Sequence, residues 1–176
     1  MSSPSAPSVV PASAAASAGA EADAPSLELA MLLKHARSLG QSGEAATARR
    51  FALRGKNIGL ICGGEPGAAA ELFTRAATAL GARVAHLDAE VVMGTGGEGR
   101  ETVRVLGKLY DAIECQSLLA DAVARIGRET GVPVYDGLAT ATHPTAALSA
   151  LIEGSTPTDA RERIVQAVLL TTIGRA

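Results

Sequence analysis

Residues 61–73, ICGGEPGAAAELF, run from an apolar stretch through glycines and a proline into an alanine-rich segment with helical spacing. A glycine-rich turn that opens a helix is a common anion cradle. The first backbone N–H groups of a helix have no intrahelical partner and lie at the positive end of its dipole. Here the amides of Gly67, Ala68 and Ala69 stand in that position, with Pro66 suited to a first-turn place where no N–H is needed. No cation accompanies them, and Glu65 adds a like charge to any anion. The glycines also fall short of a full dinucleotide fingerprint, so nucleotide binding does not follow from them.

Other reactive side chains are sparse. His143 begins the string His-Pro-Thr (143–145), which also makes a good helix entry. His35 and His86 read as helix-surface and strand residues, and no second histidine or carboxylate stands at metal-ligand spacing, so no metal is expected. Cys62 and Cys115 form no Cys-x-x-Cys motif and read as reduced thiols; whether they can pair stays open. Ser117 and Ser149 carry no nucleophile motif. No residue is assigned a catalytic role, and no cofactor is implied.

The elements that must position these residues are legible from periodicity. Residues 1–25 are Ala, Ser and Pro with almost no charge and read as a disordered tail. Ser26 is expected to cap a helix over 26–38. Strands are expected over 57–62, 83–87, 111–115 and 132–135. Helices should occupy 67–80, the segment after GTGGEG that carries Val103, Leu106 and Tyr110, 118–130, and the stretch following 143–145. A last amphipathic helix places Ile164, Val165, Val168, Leu169 and Thr172 on one stripe, with DARERI as its solvated face. Strands alternating with helices at this spacing imply an α/β fold with a parallel sheet.

Composition narrows the function. The chain has 176 residues, a formal charge of −2 and only 2% aromatic residues with no Trp. A basic field and stacking platforms for nucleic acid are therefore missing. No run approaches a membrane span, and a cytoplasmic setting is expected.

The strings LRGKNIGLI, LGARVAHL, TVRVLGKLYDAIE, GVPVYDGL and HPTAAL, in this order, resemble the carbamoyl-phosphate domain of the ornithine and aspartate transcarbamoylases, most of all the ornithine enzymes. The resemblance covers about 53–152 and implies a three-layer α/β/α sandwich with a four-stranded parallel sheet in the order 2-1-3-4. It also implies a phosphate site at Pro66, Gly67, Ala68, Ala69, Gln116, His143 and Thr145. There the family's Ser-Thr-Arg-Thr is replaced by Pro66–Ala69, the arginine after the third strand by Gln116, and the glutamine of His-Pro-Thr-Gln by Ala146. The lysine-bearing loop falls on Gly96, Gly97 and Glu98. Each lost charge-assisted contact to phosphate is worth about 1.5–3 kcal/mol.

On this reading residues 26–176 form one domain: a core over 26–152, a shortcut linker over 153–158 where the second, amino-acid-binding domain would be, and a returning helix over 159–174. The expected function is that of a catalytically degenerate homologue acting as an oligomeric interaction or regulatory subunit. The family's trimer is the expected assembly. A partner would meet the open face at Gln116 and Leu118, without nucleic acid or membrane. Two alternatives stay open: a small-anion or carbamoyl-phosphate sensor, and a transferase completed by another chain.

Overall fold

The computed structural model describes residues 24–41, 48–94 and 97–173, with the side chains of 24–27, 97 and 98 excepted. Most of the expected tail, residues 1–23, and Gly96 lie outside the described residues. Helix α1 (Ala24–Ser38) begins before Ser26, so Ser26 sits inside the helix and is not its cap.

Strands β1 (Asn57–Cys62), β2 (Arg83–Asp88), β3 (Ala112–Gln116) and β4 (Val134–Asp136) pair in parallel in the order β2-β1-β3-β4. Helix α2 (Ala68–Ala79) links β1 to β2. Helices α3 (Ala89–Met93) and α4 (Gly97–Leu109) return the chain to β3, and α5 (Ala120–Thr130) leads on to β4. A 3₁₀ helix (Pro144–Leu151) then precedes α6 (Pro157–Thr172). The expected helix after His-Pro-Thr is therefore a tighter one, with Pro144 in its first turn and His143 as its cap.

Alternation along the strands sorts side chains onto two faces. Ile58, Leu60 and Ala112 face α2 and α6, packing with Phe73, Ala76, Ala77, Val165, Leu169 and Ile173. Ile61, Ile113 and Cys115 face the other way, against Ala89, Val92, Val103, Leu106 and Ile126 of α3, α4 and α5. Helix α1 completes the first layer by packing on α6, where Ala36 meets Ala160, Ile164 and Ala167. The architecture is the expected α/β/α sandwich, and its sheet order is the expected one.

At the amino-terminal edge of the sheet, Lys56 Nζ donates to Asp111 at 3.1 Å, and the Asn57 amide donates to the same carboxylate at 2.8 Å. Burial alone would raise the Asp111 pKa, but the Asn57 amide and Lys56 outweigh it and hold the group below the usual carboxylate range. At the opposite edge, the Gly63 amide donates to the Gln116 carbonyl at 2.9 Å. A Cβ on Gly63 would stand 2.2 Å from the Ser117 carbonyl oxygen, so this glycine serves the close approach of β1 and β3.

Candidate functional site at the carboxyl edge of the sheet

In a parallel sheet with helices on both faces, clefts form where the strands end. Gly67 caps α2 in an extended conformation without a side-chain hydrogen bond, and its carbonyl takes the amides of both Ala70 and Glu71. Across a small cleft of about 240 Å³, Gly67, Ala68 and Ala69 face Cys62, Gln116, Ser117 and Thr140. The one charged residue lining this cleft, among the described residues, is Glu65. Pro66 is exposed and lines the wider neighbouring cleft of about 640 Å³, together with His86, Asp88 and Glu90. Among the described residues no Lys or Arg lines that cleft, and no three His, Cys, Asp or Glu side chains are placed to hold a metal ion.

Gln116 is only 6% exposed and its Nε2 donates to Glu114 Oε1 at 3.1 Å. The two residues share a face because they are two apart on β3. Gln116 therefore offers little surface to a partner. Leu118 is partly buried against the α3–α5 layer, whereas Leu119, which opens α5, is 82% exposed and is what this rim presents.

Glu114 has no solvent exposure at all. Burial pushes its pKa up to about 8, against the Gln116 hydrogen bond and the Leu138 and Ala139 amides, which favour the charged form. The carboxyl is consequently neutral at pH 7. Nothing in its sequence context marked it out, since a lone Glu in a strand otherwise made of core residues carries no motif.

His143 and Thr145 are not at the α2 cleft. They form a separate cluster with Arg161 of α6. The His143 Nδ1 accepts from the Thr145 amide at 3.2 Å and lies 2.9 Å from Thr145 Oγ1, while Arg161 Nη1 donates to that hydroxyl at 3.0 Å. Burial first, and then the Arg161 charge, push the His143 pKa below the usual imidazole value. A neutral ring accepting at Nδ1 caps the 3₁₀ helix, a structural task. Arg161 corrects the expectation of a wholly solvated DARERI face: it is 8% exposed, because the carbonyls of Leu138 and Thr140 draw its Nη2 inward. The stripe read from spacing holds for Ile164, Val165 and Leu169, but Thr172 is exposed and bonds the Tyr135 hydroxyl.

The cysteines are both free thiols. Cys62 is in register with Gln116 and Cys115 with Ile61, so the two side chains lie on opposite faces of the sheet and cannot pair. Burial, then Glu114, raises the Cys62 pKa, and burial pushes Cys115 up to about 12. Neither is a thiolate nucleophile at neutral pH.

No family model matches the chain. It is 37% identical over 123 residues to the catabolic ornithine carbamoyltransferase of Burkholderia mallei, which covers 69% of this chain and 36% of that protein. It is 33% identical over 131 residues to the ornithine carbamoyltransferase of Streptococcus uberis, covering 74% of this chain and 39% of that one. The fold agrees: the ornithine carbamoyltransferase of Pyrococcus furiosus superposes with a TM-score of 0.59 at 25% identity, over 72% of this chain and 40% of that one. The chain thus spans little more than a third of the length of the curated relatives it matches. Through that shared part, in sequence and in the order of its strands, the chain is a homologue of the ornithine carbamoyltransferases.

Proposed function

We propose that this chain is a catalytically degenerate transcarbamoylase homologue that acts as an oligomeric interaction or regulatory subunit. The observation that supports this reading is the lining of the α2 cleft. Where the family resemblance implies a cationic grip on phosphate, the cleft presents the methyl groups of Ala68 and Ala69 and the carboxylate of Glu65. Phosphoryl and carbamoyl transfer depend on preorganised positive charge, and backbone amides alone supply little of it. His143, another residue of the implied site, is occupied in capping the 3₁₀ helix.

In this reading residues 153–158 are a short link, and α6 returns to close the layer beside α2. The purified protein is expected to form neither citrulline from ornithine nor carbamoyl-aspartate from aspartate, in colorimetric assays with saturating carbamoyl phosphate. Turnover that His143→Ala abolishes would overturn the proposal.

Assembly is the positive half of the reading. Symmetric contacts depend on shape and apolar area more than on catalytic charge. Light scattering at tens of micromolar is expected to give a trimer; a monomer at that concentration would remove the inherited assembly. Leu119, with its 82% exposure beside Leu118, supports the rim after β3 as the face a protein partner meets.

A further inference from the structure

We propose that an apolar groove between α1, the 3₁₀ helix and the carboxyl half of α6 is the docking site for this chain's own amino-terminal segment, entered by Val9 and Val10. This does not rest on the subunit role. The groove measures about 480 Å³ and takes in no residue of α2. Its walls are Leu29 and Leu32 of α1, Pro144 and Leu148 of the 3₁₀ helix, and Val168 and Thr171 of α6.

The groove is apolar surface that its own helices leave uncovered. Leu29 is 41% exposed, Pro144 is exposed, and Leu32, Leu148 and Val168 are only partly buried. Its hydroxyls are already engaged within the fold. Thr145 Oγ1 accepts from Arg161, Thr171 Oγ1 donates to the Ala167 carbonyl at 2.7 Å, and Thr172 Oγ1 donates to the Val168 carbonyl at 2.9 Å. Glu28, at the rim, is the one charged residue of the lining among the described residues. Walls whose polar atoms are spent in this way select branched apolar side chains and reject ions.

The segment before α1 supplies that chemistry. Among residues 2–23 the only large aliphatic side chains are Val9 and Val10, and residues 2–20 carry no charged side chain, so their entry desolvates no ion. Pro7 and Pro11 flank the pair; a proline fixes its own φ and biases the residue before it toward extended backbone, which lowers the entropy lost on docking. Position agrees with composition. The groove begins at Glu28 and Leu29, about 6–8 Å along the axis of α1 from Ala24, where the segment joins the helix. Residues 11–23 span at most about 45 Å, ample to double back over the first turns of α1. A tether of that length presents the valines at an effective concentration on the order of millimolar, so even a contact of millimolar affinity is populated.

Methyl NMR on the full chain tests this. Val9→Ser combined with Val10→Ser is expected to shift the methyl signals of Leu29, Leu32, Leu148 and Val168 and to leave those of Leu60 and Val103, in the sheet core, in place. In the unaltered chain, nuclear Overhauser contacts are expected between the methyls of Val9 or Val10 and those of Leu148. Thr171→Lys puts a charged side chain on the groove wall and is expected to abolish these contacts with an unchanged circular dichroism spectrum. Elastase, which cuts after small apolar residues, gives a second readout. Cleavage after Val9 and Val10 is expected to be at least about threefold faster in Thr171→Lys than in the parent, the ratio set by a millimolar effective concentration and a somewhat tighter contact. The double valine variant alters no described residue, so its result does not depend on a changed core folding. Groove signals indifferent to Val9 and Val10, equal cleavage rates in a folded Thr171→Lys, or contacts found only between differently labelled chains would each overturn the proposal, the last by giving the groove to a second copy.

Discussion

Cut after Gly154, the chain is expected to aggregate on expression or to melt far below the intact protein. Helix α6 fills the layer that covers one face of the sheet: Ile164, Val165, Leu169 and Ile173 are all essentially inaccessible to water. Val165, Leu169 and Ile173 pack in the same cluster as Leu60 of β1 and Phe73 of α2, while Ile164 and Ala160 hold α1 through Ala36. Burying side chains of this size contributes about 1.5–3 kcal/mol each. Together they match the whole net stability of a typical domain, about 5–15 kcal/mol. Thr156 also caps α6 by accepting from the Asp159 amide at 3.1 Å, so the helix is built to begin at a defined place. Differential scanning calorimetry of the two chains decides the matter. The milder Leu169→Ala should cost about 2–5 kcal/mol by the usual cavity cost. A truncated chain as soluble and as stable as the full one would show that α6 is dispensable.

The second large effect is a pH dependence assigned to one residue. The Glu114 pKa is about 8 in the folded chain against an ordinary value of 4.5, with burial as the main cause. Between those values the folded chain holds a proton that the unfolded chain releases. Stability from this group is therefore fully present below about pH 4.5 and is lost as the pH rises through 8. The span is three to four pH units at about 1.4 kcal/mol each, on the order of 4–5 kcal/mol. Glu114→Gln keeps the shape and the acceptor for Gln116 but cannot ionise. Urea unfolding of both proteins from pH 5 to pH 9 is expected to give diverging curves, with the variant pulling ahead of the parent as the pH rises. Parallel curves would show that Glu114 stays charged or finds water in solution. Asp111 acts in the opposite sense, since its lowered pKa makes its contribution fall away in acid. It is common to both proteins and cancels in the comparison.

The fold was largely readable because its signals are local. The strand NIGLIC matches β1 residue for residue, and Gly67 and Leu80 bracket α2 where the spacing placed it. The shift of β3 by one residue has a physical cause: Asp111, read as strand, is spent in binding Lys56 and the Asn57 amide. The last strand begins at Val134, after Pro133, which has no N–H to give a ladder. The site was harder. Gly67, Ala68, Ala69 and Gln116 do surround one cleft, yet His143 and Thr145 join a different cluster. Arg161 resembled a surface charge because helical periodicity reports the face on which a residue starts, not how far a long side chain reaches back toward buried carbonyls. Glu114 and Leu119 gave no signal either, since burial and exposure at strand ends depend on what the following loop covers.

The tie between Lys56, Asn57 and Asp111 has a consequence for substitution. It clamps β1 to β3 at the end of the sheet remote from the clefts, while the other end is joined through the backbone bond from Gly63 to Gln116. Side chains along the carboxyl rim, from Glu65 to Ala69 and from Ser117 to Leu119, are thereby relieved of holding the strands together. Replacement of the exposed rim residues Glu65, Pro66 and Leu119 is thus expected to leave the strands paired, whereas Asp111 and Gly63 are places where a single change acts on the join between β1 and β3.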